Sequence, residues 1–388
     1  MKQLAILGST GSIGKNTLEV VRSHPKLFNV YALTINTNII ELKKQVDLFE
    51  PRKVVICDEE SYKEFRKFSF NCKIEVLYGD EGLLNVVSDP NVNLIVNALV
   101  GFSGLKPTIE GIINKKDIAL ANKETIVVGG ELVLKLAKEN NVKIIPIDSE
   151  HSALLFLLRH NKREEVRKLI LTASGGPFCN LRKEEFAQIT LNDALNHPTW
   201  KMGKKITIDS STLMNKGFEV IEAHHLFGFD FDDIEVIIHK ESIIHSMIET
   251  VDGEIYAQLG PADMKFPIQN ALTYPEIIEN DYHKLNLWEI GSLSFSKPDF
   301  DKFNLLNIAY QIGKEGGTLP TVLNASNEVA VNAFLNEEIA YIDIVSLINK
   351  TIESHKNIKN PTVKMLFDTD EWARSFAKEL INSNGIIN

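Results

Sequence analysis

Only three cysteines, Cys57, Cys72 and Cys179, occur in the chain, far apart and in no CxxC spacing. That scarcity argues against a disulfide framework or a structural zinc site and suits a reducing compartment. Positive charge is also short. The formal net charge is −10, which argues against a general nucleic-acid binder while leaving room for a local basic pocket for a phosphate. No apolar run is long enough to span a membrane. Met1-Lys2-Gln3 passes almost at once into an apolar strand, leaving no room for a signal or transit segment, so a cytoplasmic location is expected. Neither an internal repeat nor a low-complexity tract is found. What remains is an ordinary globular composition, 44% hydrophobic and 24% charged, with 388 residues for two or three domains.

The order of the apolar runs sets the fold class. Leu4-Ala5-Ile6-Leu7 reads as a strand, Gly8-Ser9-Thr10-Gly11-Ser12-Ile13-Gly14 as a glycine-rich turn, and Ile13, Thr17, Val20 and Val21 as one side of a helix. Such a succession opens a dinucleotide-binding unit: glycines allow close backbone approach, and the helix N-terminus faces a pyrophosphate. The spacing is G-x-x-G-x-x-G rather than G-x-G-x-x-G, so its place between first strand and first helix carries the reading. The second strand, Val30 to Leu33, runs into Thr34-Ile35-Asn36-Thr37-Asn38, without the acid that holds a ribose 2′-hydroxyl in NAD sites. That absence favours NADP, although no Arg or Lys in the turn makes the preference positive. Strands at 54–56, 74–77, 94–96, 118–120 and 144–147 alternate with helical segments, the pattern of a doubly wound, mostly parallel α/β sheet. Strands in close succession between Lys168 and Leu259 predict a central α+β domain with an antiparallel or mixed sheet. The segment Pro261 to Pro298 reads as a connection, and the pattern from Phe303 onward is helical.

Chemistry concentrates where Ile144 to Ile147 ends in Asp148-Ser149-Glu150-His151. On an extended chain Asp148 and Glu150 project the same way, and a hard divalent cation would relieve their repulsion. The ordinary alternative is a solvated loop in which Ser149 or Asp148 caps a helix from His151 to Arg159. A short strand at Ile206–Ile208 is expected to lead into a helix capped by Asp209 or Ser210. On that helix Asn215, Glu219 and Glu222 share one face, making Glu219 a candidate third carboxylate while Glu222 suits an exposed face. Ser210, Asn215 and Lys216 are candidates for a substrate anion, as is the turn Ala173-Ser174-Gly175-Gly176, which offers backbone N–H groups and a hydroxyl. Lys123 could contact cofactor or substrate, but alone it reads as a surface lysine in a helix's first turn. Trp200, in the aperiodic stretch Asn196 to Lys205, suits either a lid or a loop pinned to the core. His245, mid-strand among apolar neighbours, reads as a satisfied core residue.

Taken together, these blocks resemble the 1-deoxy-D-xylulose 5-phosphate reductoisomerases. The matching stretches are GSTGSIG at 8–14, ANKE at 121–124, DSEHSA at 148–153, ASGGPF at 173–178 and His197 to Lys205. They continue through Asp209 to Glu222, IHSM at 244–247, Gln258 to Pro267 and NASNEVAV at 324–331. The resemblance implies an NADPH- and metal-dependent enzyme that rearranges the carbon skeleton of a sugar phosphate and then reduces the resulting aldehyde. It implies Asp148, Glu150 and Glu219 as ligands of Mg²⁺ or Mn²⁺, with Co²⁺ as a further candidate. Ser149, Ser174, Ser210, Asn215 and Lys216 would bind the substrate, together with Lys123, Glu150, His197, Trp200 and Glu219. Lys123, Asp148, Glu150, His197 and Glu219 would carry catalysis, with His197, Trp200 and Met202 in a flexible lid. Gly8, Ser9, Thr10, Gly11, Ser12 and Ile13, with Asn36, Asn38, Asn122, Glu124 and Gly203, would hold NADPH. Many family members have Gly-Lys-Asn where this chain has Asn36-Thr37-Asn38, a departure at the 2′-phosphate contact.

The implied organisation is an NADPH-binding domain at 1–148 and a catalytic domain at 149–273, with its lid at 174–204. A linker at 274–302 and a helical domain at 303–388 follow. A homodimer is implied, with no nucleic-acid or membrane partner. Two rivals accompany this reading. A metal-dependent hydroxyacid oxidative decarboxylase would also use clustered acids. An NADP-sensing binding protein would need no third carboxylate, so Asp148, Glu150 and Glu219 together count against it.

Overall fold

The computed structural model describes residues 1–200 and 202–383. They divide into two compact units. The first comprises Met1–Thr125, Val133–Ser152 and Asp263–Tyr282. Its sheet has seven strands: β1 Lys2–Leu7, β2 Phe28–Ile35, β3 Lys53–Ile56, β4 Glu75–Tyr78, β5 Leu94–Asn97, β6 Asp117–Leu120 and β7 Ile144–Pro146. Their order is β4-β3-β2-β1-β5-β6-β7, and every pairing is parallel. Leu4 to Leu7 are wholly buried, as a central strand covered on both faces requires.

The strand order reverses between β1 and β5, and the turn Gly8–Gly14 leaves β1 at that switch point, where open α/β sheets bind ligands. Gly8 has φ +81°, and a Cβ there would lie 2.7 Å from the Ala98 carbonyl oxygen, so only glycine fits. The helix Ser12–Ser23 follows, burying Thr17, Leu18, Val20 and Val21.

The second unit comprises Ile126–Leu132, Ala153–Ala262 and His283–Asn388, less the residues not described. Its sheet contains β8 Val166–Ala173, β9 Ile234–Ile238, β10 Ile244–Thr250 and β11 Ile255–Leu259, in the order β11-β10-β8-β9. β8 and β9 run parallel and the other pairs antiparallel, so the sheet is mixed, as expected. Its longer helices include Met214–Phe227, Asn304–Glu315, Leu319–Leu335, Asp343–Glu353 and Val363–Asn382. One hydrophobic core joins Leu169 and Val236 of the sheet, Phe218 and Ile221, and Leu306, Val331 and Ile344 of the C-terminal helices.

Compactness therefore groups the chain differently from the expected boundaries. The helices after Phe303 share the core of the β8–β11 sheet, because their apolar faces are buried in it. The segment expected as a mere connection contains the helix Lys265–Thr273, which belongs to the first unit. Lys2 Nζ donates to Leu272 O at 2.8 Å, and the His24 ring meets Gln269 at 3.1 Å. The strand expected at Ile206–Ile208 is instead part of the helix Lys204–Ser211. β-branched residues favour strands only weakly, and packing on the helix Leu319–Leu335 prevails here.

Candidate active site

In the first unit, Asp148 lies two residues beyond the end of β7 and caps the helix Ser149–His160. Its Oδ1 accepts from the backbone N–H of Glu150 at 3.1 Å and of His151 at 3.3 Å, and lies 3.0 Å from the His151 Nδ1. The extended arrangement expected for Asp148 and Glu150 is thus corrected: a helix begins between them, since the cap satisfies its first N–H groups. Glu150 lies in the first turn and accepts a hydrogen bond from the Ser149 hydroxyl. Acids at a helix N-terminus are favoured by its partial positive charge. Lys123 is buried rather than on the surface, and its Nζ donates to Asp148 Oδ2 at 3.0 Å. Burial of this lysine is tolerable because the carboxylate accompanies it.

In the second unit, the helix Lys204–Ser211 is joined to the helix Met214–Phe227 by Leu213, which adopts a left-handed conformation with φ +59°. This residue, not Asp209 or Ser210, occupies the cap position of the second helix. Asn215, Lys216 and Glu219 follow. Glu219 is 1% exposed, accepts from Asn215 Nδ2 at 2.6 Å and pairs with the Lys216 ammonium. Glu222, expected on an exposed face, is also 1% exposed, because the helix is buried on all sides from Lys216 to Ala223. Ser210 is buried and Ser174 half-buried.

The Ser174 hydroxyl is 3.0 Å from His197 Nε2. His197 Nδ1 accepts from the backbone N–H of Thr199 at 3.2 Å and of Trp200 at 2.9 Å. Both donors need a lone pair on Nδ1, so the ring is neutral, carries its proton on Nε2 and donates to Ser174. Burial lowers the His197 pKa in the same sense. Trp200 is half-buried, its ring 6.4 Å from that of His245. Lys201, within the expected lid, lies outside the described residues.

Three family descriptions match this chain. The 1-deoxy-D-xylulose 5-phosphate reductoisomerase family covers residues 4–130, its C-terminal domain family 144–227, and a further DXP reductoisomerase C-terminal domain family 259–376. A 1-deoxy-D-xylulose 5-phosphate reductoisomerase of Bacillus thuringiensis subsp. konkukian is 51% identical, over 98% of this chain and 99% of that protein. The chain belongs to the 1-deoxy-D-xylulose 5-phosphate reductoisomerase family. A second member, from Chloroherpeton thalassium, is 48% identical over 97% of each chain. The crystal structure of a DOX-P reductoisomerase in complex with NADPH, fosmidomycin and magnesium superposes with a TM-score of 0.92 at 38% identity, covering 98% of both chains. The Zymomonas mobilis reductoisomerase in complex with NADPH gives 0.91 at 36% identity, covering 98% of this chain and 99% of that one. Full-length likeness to reductoisomerases sets aside the decarboxylase reading.

The expected cofactor residues differ in what they offer. Lys15 N donates to Gly11 O, closing the first turn, so Ser12, Ile13 and Gly14 precede the first intrahelical N–H donor. Ser9 is spent on support: its hydroxyl bonds Gln45 at 2.7 Å and its N–H bonds Thr34 O at 2.9 Å. Thr10 is half-buried, Gly11 exposed. Asn36 and Asn38 are exposed, and Asn38 caps the helix Ile39–Phe49. Asn122 is buried and braces the loop after β5 through Leu99 O and Gly101 O at 3.0 and 2.8 Å, while also donating to Glu124. Gly203 is exposed at the start of the helix Lys204–Ser211.

Sequence reasoning gave no role to His151, whose ring touches Asp148, or to His245, which faces Trp200. The three-residue spacing from Asp148 could have signalled the first; nothing local signals the second.

The His197 arrangement is testable. Its pKa in the folded chain lies below the unfolded value of about 6.5, so the loop order it supports is present above that pH and is lost as pH falls. Imidazole nitrogen NMR should show the Nε2–H tautomer at neutral pH and a midpoint below about 6.5. A protonated Nδ1 at neutral pH would contradict it.

Proposed function

We infer that this chain converts 1-deoxy-D-xylulose 5-phosphate to 2-C-methyl-D-erythritol 4-phosphate, a step of non-mevalonate isoprenoid precursor synthesis, using NADPH and a divalent metal ion. The observation that carries this is membership of the family, with a relative 51% identical over 98% of the chain, and it is supported by the acid–lysine pairs Asp148–Lys123 and Glu219–Lys216.

The donor chemistry fits a hard cation: Asp148, Glu150 and Glu219 offer carboxylate oxygens and no thiol or imidazole ligand is needed. Mg²⁺ or Mn²⁺ bound by them would polarise the ketone and neighbouring hydroxyl oxygens of the substrate during the rearrangement. Ser174, Ser210, Asn215 and Lys216 bind the phosphate and convert its binding energy into orientation of the reacting carbons. Lys123 and Ser149 hold substrate hydroxyls. His197 keeps Ser174 oriented through its Nε2 proton, and with Trp200 and Met202 it closes over the substrate and excludes water. The close turn at Gly8 and the helix start at Ser12–Ile13 fit a dinucleotide's pyrophosphate. NADPH held there supplies the hydride that reduces the aldehyde. Residues 1–148 then present the cofactor, 149–273 hold metal and substrate with the lid at 174–204, 274–302 connect, and 303–388 brace the rest.

The location is cytoplasmic, in keeping with three free thiols and with no described helix long and apolar enough to cross a membrane. The chain works as a homodimer through β11, an edge strand on which Ile255 and Tyr256 are 57% and 44% exposed. Sedimentation should give twice the 43.6 kDa chain mass, and Ile255→Lys should shift it toward one chain. A monomeric wild type would remove this element.

The activity is checked by NADPH oxidation with 1-deoxy-D-xylulose 5-phosphate and Mg²⁺ or Mn²⁺. Oxidation should stop with chelator and fall by about two orders of magnitude or more in Glu219→Gln. A folded chain that binds NADPH without oxidising it would overturn the assignment and leave an NADP-binding sensor.

A further inference from the structure

The helix Leu319–Leu335 carries polar side chains where it is wholly enclosed: Thr321, Asn324 and Asn327 are each 0% exposed. A buried amide is costly unless its groups find partners. Asn324 turns to its own helix, Nδ2 donating to Glu328 Oε1 at 2.9 Å. Asn327 instead reaches another element: its Nδ2 donates to Asp209 Oδ1 at 2.8 Å, across 118 positions of sequence. Asp209 is 2% exposed, and its Oδ2 takes the Lys205 ammonium at 2.9 Å from one helical turn earlier. The carboxylate is therefore gripped from two directions.

What lies next to it gives the grip its meaning. Ser210 follows Asp209 directly, and the left-handed Leu213 turn follows in the same short run. A left-handed leucine is strained and persists only where its flanks are fixed. The Ser174 turn presses on the same backbone: a Cβ on Gly176 would lie 2.7 Å from the Ser210 carbonyl oxygen. A shift of the Asp209 segment would thus displace Ser210 and push on the turn holding Ser174, while altering the approach to Asn215 and Lys216. An apolar pair of similar volume would hold these two helices together at least as well as a buried carboxylate and amide. The polar pair adds direction, since the bond sets rotation and register of one helix against the other.

We propose that Asn327, acting through Asp209, is a positioning residue that sets Ser210 and the neighbouring turn for the substrate's phosphate. This rests on the phosphate anchor stated under the proposed function. Asn327 touches no reacting atom; it acts by holding the anchor's backbone.

The test is steady-state kinetics of the full chain with NADPH, Mg²⁺ and 1-deoxy-D-xylulose 5-phosphate, with NADPH affinity followed by fluorescence. In Asn327→Leu the KM for the sugar phosphate should rise about tenfold, with kcat within about threefold and NADPH affinity unchanged. Asn324→Leu, which removes an equally buried amide that does not reach Asp209, should lower thermal stability and leave that KM alone. Asn327→Leu with an unchanged KM overturns the proposal. So does a parallel loss of kcat and NADPH affinity, or an equal KM increase in Asn324→Leu. If Asn327→Leu does not fold, Asn327→Ser decides on the same readings. A wild-type chain that cannot oxidise NADPH overturns the functional reading and this one with it. An active wild type with unaffected Asn327 variants overturns this one alone.

Discussion

Each unit keeps an acid–lysine pair in a place from which water is largely excluded, and the remaining arrangement depends on those pairs. A buried carboxylate without a partner would cost several kcal/mol. Lys123 prevents this for Asp148, and Lys216 for Glu219. Local structure follows from the same constraint. Asp148 can cap a helix and still accept Lys123 because its two oxygens divide the work. Glu219 divides its oxygens likewise between Asn215 and Lys216. In the proposed reaction the carboxylates are committed to a cation, which leaves both ammonium groups for the anionic and hydroxyl oxygens of the substrate.

The scaffold behind these pairs is stiff where position matters. Leu4 to Leu7 have no exposure, so the turn at Gly8 leaves a strand that cannot shift without disturbing both faces of its sheet. In the second unit a single core runs from the β8–β11 sheet to the C-terminal helices, and the helix Asn304–Glu315 packs on the helix that carries Glu219, Gly217 lying against Ala309. Asn327 and Asp209 add a directional contact to that apolar packing.

Much of this was legible in the chain. The parallel sheet could be read because buried strands are short, apolar and separated by helical periods, and the turn after β1 could be read from its glycines. Asp148 and Glu150 stood out because acids end an apolar run, and Glu219 because it shares a helix face with Asn215 and Glu222. Two kinds of feature were hidden. Ile206–Ile208 looks like a strand locally, and only packing against a helix more than a hundred residues later makes it helical. Lys123 and Glu222 look exposed because charged residues usually are, and their burial depends on partners or enclosure that no local pattern encodes. The C-terminal helices show amphipathic faces but not what those faces cover, so a separate domain was expected where one core exists.

In the proposed reaction Asp148, Glu150 and Glu219 are the ligands of the cation, and Mn²⁺ binding followed by electron paramagnetic resonance tests that proposal without reference to turnover. The wild-type chain should bind a single Mn²⁺, with affinity lowered at least about tenfold in Asp148→Asn and in Glu219→Gln alike. Wild-type affinity in folded Glu219→Gln would contradict the account, because Glu219 would then lie outside the set that holds the ion.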